Sequence, residues 1–141
     1  MNYLLDTCVL SELVRLKPDG NVIDWLDHTP DERLYLSVIT IGEIRKGITK
    51  LPDSKKKNRL AEWLNTLLED YRRRIYPIDL AVAENWGTIQ AKAERTDSPM
   101  VAIDGLIAAV AHTHNLIVVT RNESDFVASD VSIINPWENQ A

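Results

Sequence analysis

Four acidic residues stand where an α/β chain would place its chemistry. Asp6 directly follows the apolar run Tyr3-Leu4-Leu5, and Glu43 lies in the first turn of a helix that follows a second apolar run. Asp104 begins the helix ahead of a third run, and Asp125 lies in the loop after it. Carboxylates gathered in one crevice repel one another by several kcal/mol at an effective dielectric of ~20, and a cation relieves that repulsion. A hard divalent ion, magnesium or manganese, takes a few carboxylate oxygens and leaves its other positions to water and substrate phosphate. Such a site suits phosphodiester hydrolysis. Each acid also has a plainer reading. Glu43 can be the return arm of a capping box begun by Thr40, Asp104 an acid favoured at a helix N-terminus, and Asp6 and Asp125 turn residues bonding their own backbone. Helix capping does not call for acids at separate strand ends, so the set says more than its members.

The elements that must position these acids alternate along the chain. Tyr3-Leu4-Leu5 reads as a strand, and Val9, Leu10, Leu13 and Val14 as the helix after it, ended by Lys17-Pro18-Asp19-Gly20. A short amphipathic helix through Val22, Ile23, Trp25 and Leu26 precedes a second strand, Leu34 to Ile39. Thr40 is expected to cap a helix carrying Ile41, Ile44 and Ile48. From Ser54 the residues Leu60, Trp63, Leu64, Leu67, Leu68 and Tyr71 mark a long amphipathic helix. A short extended piece at Ile75 to Ile78, a helix from Leu80 to about Glu94 and another through Ile103 to Asn115 follow. Leu116-Ile117-Val118-Val119 has the composition of a strand buried on both faces, and Val131 to Ile134 reads as the last strand. The prediction is a single α/β domain over 1–141, a mainly parallel central sheet with helices on both faces. In such sheets ligands bind outside the carboxyl ends of the strands, where the acids fall.

Composition narrows the function further. The 141 residues, 45% hydrophobic and 26% charged, fit an ordinary globular domain. A net charge of −5 argues against coating nucleic acid through bulk charge, so any such contact must be local. The basic clusters Lys55-Lys56-Lys57 with Arg59, and Arg72-Arg73-Arg74, read first as a solvated helix face and a positive helix end. Cys8 is the one cysteine and cannot pair within the chain; it reads as a core residue. No apolar run is long enough to span a membrane and no secretory pattern opens the chain, so a cytoplasmic protein is expected. His112 and His114 lie two apart on a helix, on different faces, and make no metal pair. Gly42, Gly47 and Gly105 match no nucleotide-binding fingerprint, and the four tryptophans read as core or interface residues.

Four blocks carry a resemblance: Leu4-Leu5-Asp6-Thr7-Cys8-Val9-Leu10-Ser11-Glu12, Ile39-Thr40-Ile41-Gly42-Glu43-Ile44, Ile103-Asp104-Gly105-Leu106-Ile107-Ala108-Ala109, and Val119-Thr120-Arg121-Asn122-Glu123-Ser124-Asp125-Phe126. In this order, and over nearly the whole chain, they resemble PIN-domain ribonucleases, specifically the VapC-type toxins of type II toxin–antitoxin pairs. The resemblance implies a PIN-like fold and a magnesium- or manganese-dependent endoribonuclease, with Asp6, Glu43, Asp104 and Asp125 as the acid cluster that holds the metal. By the same matching, Thr7, Thr120 and Asn122 are polar groups that orient the carboxylates or the metal's waters. The position after Thr7 is often Asn in such toxins and is Cys8 here, which puts a hydrogen bond from that side chain in question.

The resemblance also implies a homodimer, an RNA substrate with tRNA the foremost candidate, and a VapB-type antitoxin. The antitoxin would contact operator DNA itself and lay its C-terminal segment across the toxin's acidic groove. The Leu60 to Tyr71 helix is expected to form part of that binding surface, with Trp63 and Leu64 as test positions. The competing reading is a catalytically inactive PIN-like module that binds RNA or protein. A haloacid-dehalogenase-like phosphatase would need a second acid where Cys8 stands, and a receiver domain would pair acids at the end of the first strand, where only Asp6 is found.

Overall fold

The protein is described here by a computed structural model over residues 1–138. Five strands of these residues form one parallel sheet in the order β3-β2-β1-β4-β5: β1 (Tyr3–Leu5), β2 (Leu34–Ser37), β3 (Ile75–Tyr76), β4 (Ile117–Val119) and β5 (Ile133–Ile134). The helices are α1 (Thr7–Leu13), α2 (Gly20–Asp27), α3 (Val38–Thr49), α4 (Lys55–Asp70), α5 (Leu80–Arg95) and α6 (Ala102–His114), with 3-10 turns at Asp31–Arg33 and Glu123–Ser129.

The pleat of the two central strands divides the interior. Leu4 pairs with Val118 and both face a core made with α5 and α6 through Val82, Ile89, Ile107 and Val110. Leu5 pairs with Val119 and both face a second core with Val9, Leu10, Val22, Ile44, Ile48, Leu64 and Leu67 from α1 to α4. Successive strand residues point to opposite faces, so a continuous apolar run is what a sheet covered on both sides requires.

Two boundaries differ from the sequence reading, one for a reason that bears on the site. The second strand stops at Ser37, and α3 begins at Val38 rather than behind a Thr40 cap. Ser37 is the N-cap: its Oγ accepts the Thr40 N–H at 3.2 Å, so Thr40 sits inside the first turn and the predicted Thr40–Glu43 capping box does not form. The last strand is shorter than Val131 to Ile134. Between α6 and β4 the chain turns through Asn115 at φ 56°, a left-handed conformation that asparagine tolerates, and Leu116 N–H returns to the Ala111 carbonyl at 2.8 Å.

Helices α5 and α6 pack closely where Asp104 is presented. A Cβ at Gly105 would collide with Gln90 Oε1 and stand 3.1 Å from Trp86 Nε1, so the start of α6 lies against α5 without displacing those side chains because this residue is glycine. Trp86 Nε1 donates to the Ala102 carbonyl at 3.3 Å and Gln90 Nε2 to the Met100 carbonyl at 3.1 Å, which pins the segment leading into Asp104.

Candidate active site

Asp6 is the residue at which β1 becomes α1. Its N–H continues the strand pairing to the Val119 carbonyl at 3.0 Å, while its side chain caps the helix, Oδ1 accepting the Thr7 N–H at 2.8 Å. Oδ2 accepts the hydroxyl of Thr120, which follows β4, at 2.8 Å. The carboxylate is only 6% exposed, yet both oxygens have donors, so its orientation is fixed. Cys8 Sγ lies 3.7 Å from Oδ2 and 3.6 Å from Thr120 Oγ1. Cys8 packs against the core as expected, and its half-buried thiol also reaches the acid site. Burial, then the Asp6 charge, pushes the Cys8 thiol up, which keeps its proton available to Asp6.

Glu43, one turn into α3, accepts the Thr7 hydroxyl on Oε1 at 2.6 Å, and Thr40 Oγ1 lies 3.4 Å from the same hydroxyl. Thr7 thus touches Asp6 through its amide and Glu43 through its side chain. Asn122 contributes its main chain: its N–H donates to Thr120 Oγ1 at 3.0 Å, and its carbonyl accepts from the Asp125 amide at 3.1 Å. This turn places Asp125, exposed, in the 3-10 helix after β4.

Asp104 ties the four together electrostatically. Its carboxyl is pushed up to about 6, first by burial and then by the negative charges of Asp125, Asp6 and Glu43. All four predicted acids therefore share one field. Among the described residues none of the four is in a salt bridge. Nor do three of them close into a set able to grip an ion unaided. Oxygen donors that share a field at a distance, two of them held by hydroxyls, fit a hydrated divalent ion that keeps several waters.

The family model that matches this chain is that of the PIN domain, over residues 3–130. The chain belongs to the PIN-domain family. Among PIN-domain relatives, the toxin FitB of Neisseria gonorrhoeae is 42% identical over 137 residues, 96% of this chain and 99% of that protein. The VapC ribonuclease Y4jK of Sinorhizobium fredii is 38% identical over 136 residues, 96% and 97% of the two chains. Of solved PIN structures, FitAB bound to an IR36 DNA fragment superposes with a TM-score of 0.94 at 40% identity, covering 99% of this chain and 98% of that one. A DNA-bound VapBC from Salmonella typhimurium, at 22% identity and a TM-score of 0.80 over 96% and 98% of the chains, shares the PIN fold.

Sequence reasoning passed over three contributors. Ser37, standing directly after the apolar strand, carried a capping signal as good as that of Thr40. Cys8 is one residue past the Thr7 that binds two acids. Glu12, 3% exposed, holds the Asp19 N–H at 2.9 Å and Arg15 at 3.0 Å, contacts made by a loop that no local pattern announces.

A broad groove of about 1210 Å³ opens between the end of α1 and the start of α4, lined by Val14, Leu16, Leu51, Leu60 and Trp63, with Arg15, Lys17, Lys56 and Arg59 also on its wall. Lys56 and Arg59 thus face a groove rather than open solvent alone. Arg74 instead donates to the Asp31, Leu34 and Asp70 carbonyls, a structural role.

Proposed function

We propose that this protein is the toxin of a toxin–antitoxin pair and a metal-dependent endoribonuclease, with Asp6, Glu43, Asp104 and Asp125 holding magnesium or manganese. The observation that carries the reading is the bonded frame of the acids: Thr7 joins Asp6 to Glu43, Thr120 joins Asp6 to the turn that carries Asp125, and the charges of all three reach Asp104 and push its carboxyl up. Bound among them, the ion supplies a more acidic water and neutralises charge developing on the phosphoryl oxygens. The chain's own residues prepare the site. Thr120 and the Thr7 amide keep both Asp6 oxygens oriented, and the Thr7 hydroxyl aims Glu43. The exposed position of Asp125 leaves one side of the cluster open to a strand of RNA. Unpaired loops reach such a site more readily than a duplex does, and among RNAs that carry them tRNA is the candidate the family resemblance gives.

The partners follow the same reading. The groove beside α4, apolar with four cationic side chains, suits an apolar segment of a VapB-type antitoxin flanked by acids. FitB, the 42% identical relative, is seen with FitA on DNA, and a net charge of −5 leaves operator contact to the antitoxin here. Val101 and Ile103, 68% and 38% exposed beside Asp104, supply apolar surface for a homodimer whose acid sites share a groove. No helix of the described residues is long and apolar enough to cross a membrane, and a cytoplasmic location accords with an RNA substrate.

The test is cleavage of bacterial RNA by antitoxin-free protein in magnesium, manganese or EDTA, beside an Asp6→Asn variant of verified fold. Discrete fragments that need both metal and Asp6 are expected. RNA binding without cleavage by the wild type would instead leave an inactive binding module.

A further inference from the structure

Arg121 is the middle residue of the turn that builds the acid site. Thr120 before it is fully buried and holds Asp6, and Asn122 after it closes the turn onto the Thr120 hydroxyl. Arg121 itself is exposed and in none of the salt bridges of the described residues. Its guanidinium lies over the Trp137 ring, 5.4 Å from the centroid. The Trp137 side chain packs against the core beneath α1 to α4, and the residue's backbone is tied on both sides. The Trp137 carbonyl accepts from Asn21 Nδ2 at 3.1 Å, and its amide donates to Asn135 Oδ1 at 3.0 Å. Its indole N–H faces the buried Glu12 carboxylate without closing a normal hydrogen bond.

A guanidinium stacked on an aromatic ring keeps its N–H edge free, and that planar fork matches two phosphate oxygens. Holding it on a fixed indole removes rotamer freedom that binding would otherwise have to freeze. In a chain of net negative charge, a cation one residue from the acid cluster has a role that bulk charge does not supply. We propose that Arg121 is a positioning residue that grips a backbone phosphate of the RNA strand beside the acid cluster, presented by Trp137. This rests on the ribonuclease reading above and adds to it the residue that seats the substrate.

The experiment measures anisotropy of a fluorescein-labelled RNA stem-loop in magnesium over a range of salt, on an Asp6→Asn parent that spares the probe. Arg121→Ala is expected to weaken binding about tenfold, the loss of one charge-assisted contact. It should also flatten the dependence of log affinity on log salt by about 0.7, one phosphate contact on a single strand. Arg121→Lys should keep that slope while recovering only part of the affinity. Trp137→Phe should bind like the parent, and Trp137→Ala should lose affinity with its slope unchanged. If Trp137→Ala fails to fold by circular dichroism, the Arg121 variants decide alone. Parent-like affinity and slope in Arg121→Ala, or no RNA binding by the parent, overturns the proposal. Cleavage of the same probe by wild type separates the two readings. Cutting with an unaffected Arg121→Ala sinks only the phosphate grip, whereas an Arg121 effect without cutting sinks only the nuclease.

Discussion

The hydroxyl of Thr7 donates to Glu43 Oε1 across 2.6 Å, joining the first turn of α1 to the first turns of α3. Through its amide and its hydroxyl this one residue couples Asp6 and Glu43, which lie 37 residues apart in sequence. Thr7→Val keeps the shape and removes the donor, and is expected to lower metal-supported cleavage by about 10- to 100-fold, the usual cost of losing a group that orients a metal-site carboxylate. Thr7→Ser should restore most of it. Initial rates titrated against magnesium are the measurement, and unchanged rates in Thr7→Val would remove Thr7 from the site.

Asp104 makes the metal-free fold sensitive to pH. With its carboxyl at about 6 in the fold against 3.8 ordinarily, the folded protein retains a proton that the unfolded chain has released between those values. Stability therefore carries no penalty below about pH 4 and declines as the pH rises towards about 6. Asp104→Asn should raise the stability of EDTA-treated protein at neutral pH by about 1 kcal/mol, a figure already reduced for solvent screening, and abolish that decline. Melting curves across this range decide, and a wild type that is equally stable throughout would contradict the shared field.

Glu12 works with the opposite sign. Burial alone would raise its carboxyl, but the Asp19 N–H and Arg15 outweigh burial and hold it below the ordinary 4.5. Its contribution is present above that value and is lost as the pH falls through the lower folded one. Glu12→Ala should cost about 1–3 kcal/mol by leaving the Asp19 amide without its acceptor, and should shrink the acid-side loss of stability. Urea titrations at neutral and acid pH test both parts.

Trp63 and Leu64, neighbours on α4, should behave differently. Leu64 is fully buried in the core beneath α1 to α4, so Leu64→Asp destroys the fold and reports nothing about partners. Trp63 lines the groove, and Trp63→Asp should leave the melting behaviour near wild type while weakening antitoxin binding by roughly 2 kcal/mol or more, as for a central aromatic anchor. Calorimetric titration with the antitoxin's C-terminal peptide would show it, and unchanged affinity places the interface elsewhere.

Gly105→Ala probes how Asp104 is presented. The added methyl meets Gln90 and Trp86, and displacing them should cost about 1–3 kcal/mol. Cleavage should fall further than stability alone explains, because the acid next to the substituted position moves with α6. A variant as stable and active as wild type would show that the neighbours yield freely.

Much of this was legible because the strands are short and buried on both faces, so each appears as an apolar run whose end is marked by a polar residue. Asp6 was found that way and Thr120 by the family resemblance, and the structure joins them at 2.8 Å. The end of β2 was misplaced because Val38 and Ile39 are β-branched and extend the apolar run past Ser37, where a hydroxyl cap outweighs local strand preference. Cys8 packs against the core as its apolar helical face predicts, while its added contact with Thr120 depends on β4, far along the chain. Glu12 gave no local signal, since its amide partner reaches it through the loop that precedes α2.

The bond between Asp6 and Thr120 spans 114 residues of chain, and β1 has no β4 to pair with until Ile117–Val119 exist. During synthesis the acid cluster therefore lacks the hydroxyl that orients Asp6, as well as Asp125, until the chain through Asp125 has left the ribosome. Incomplete products ending ahead of Ile117 are expected to be harmless to the cell making them. The fold thus makes the geometry of the acid cluster wait on the synthesis of β4 and the turn after it.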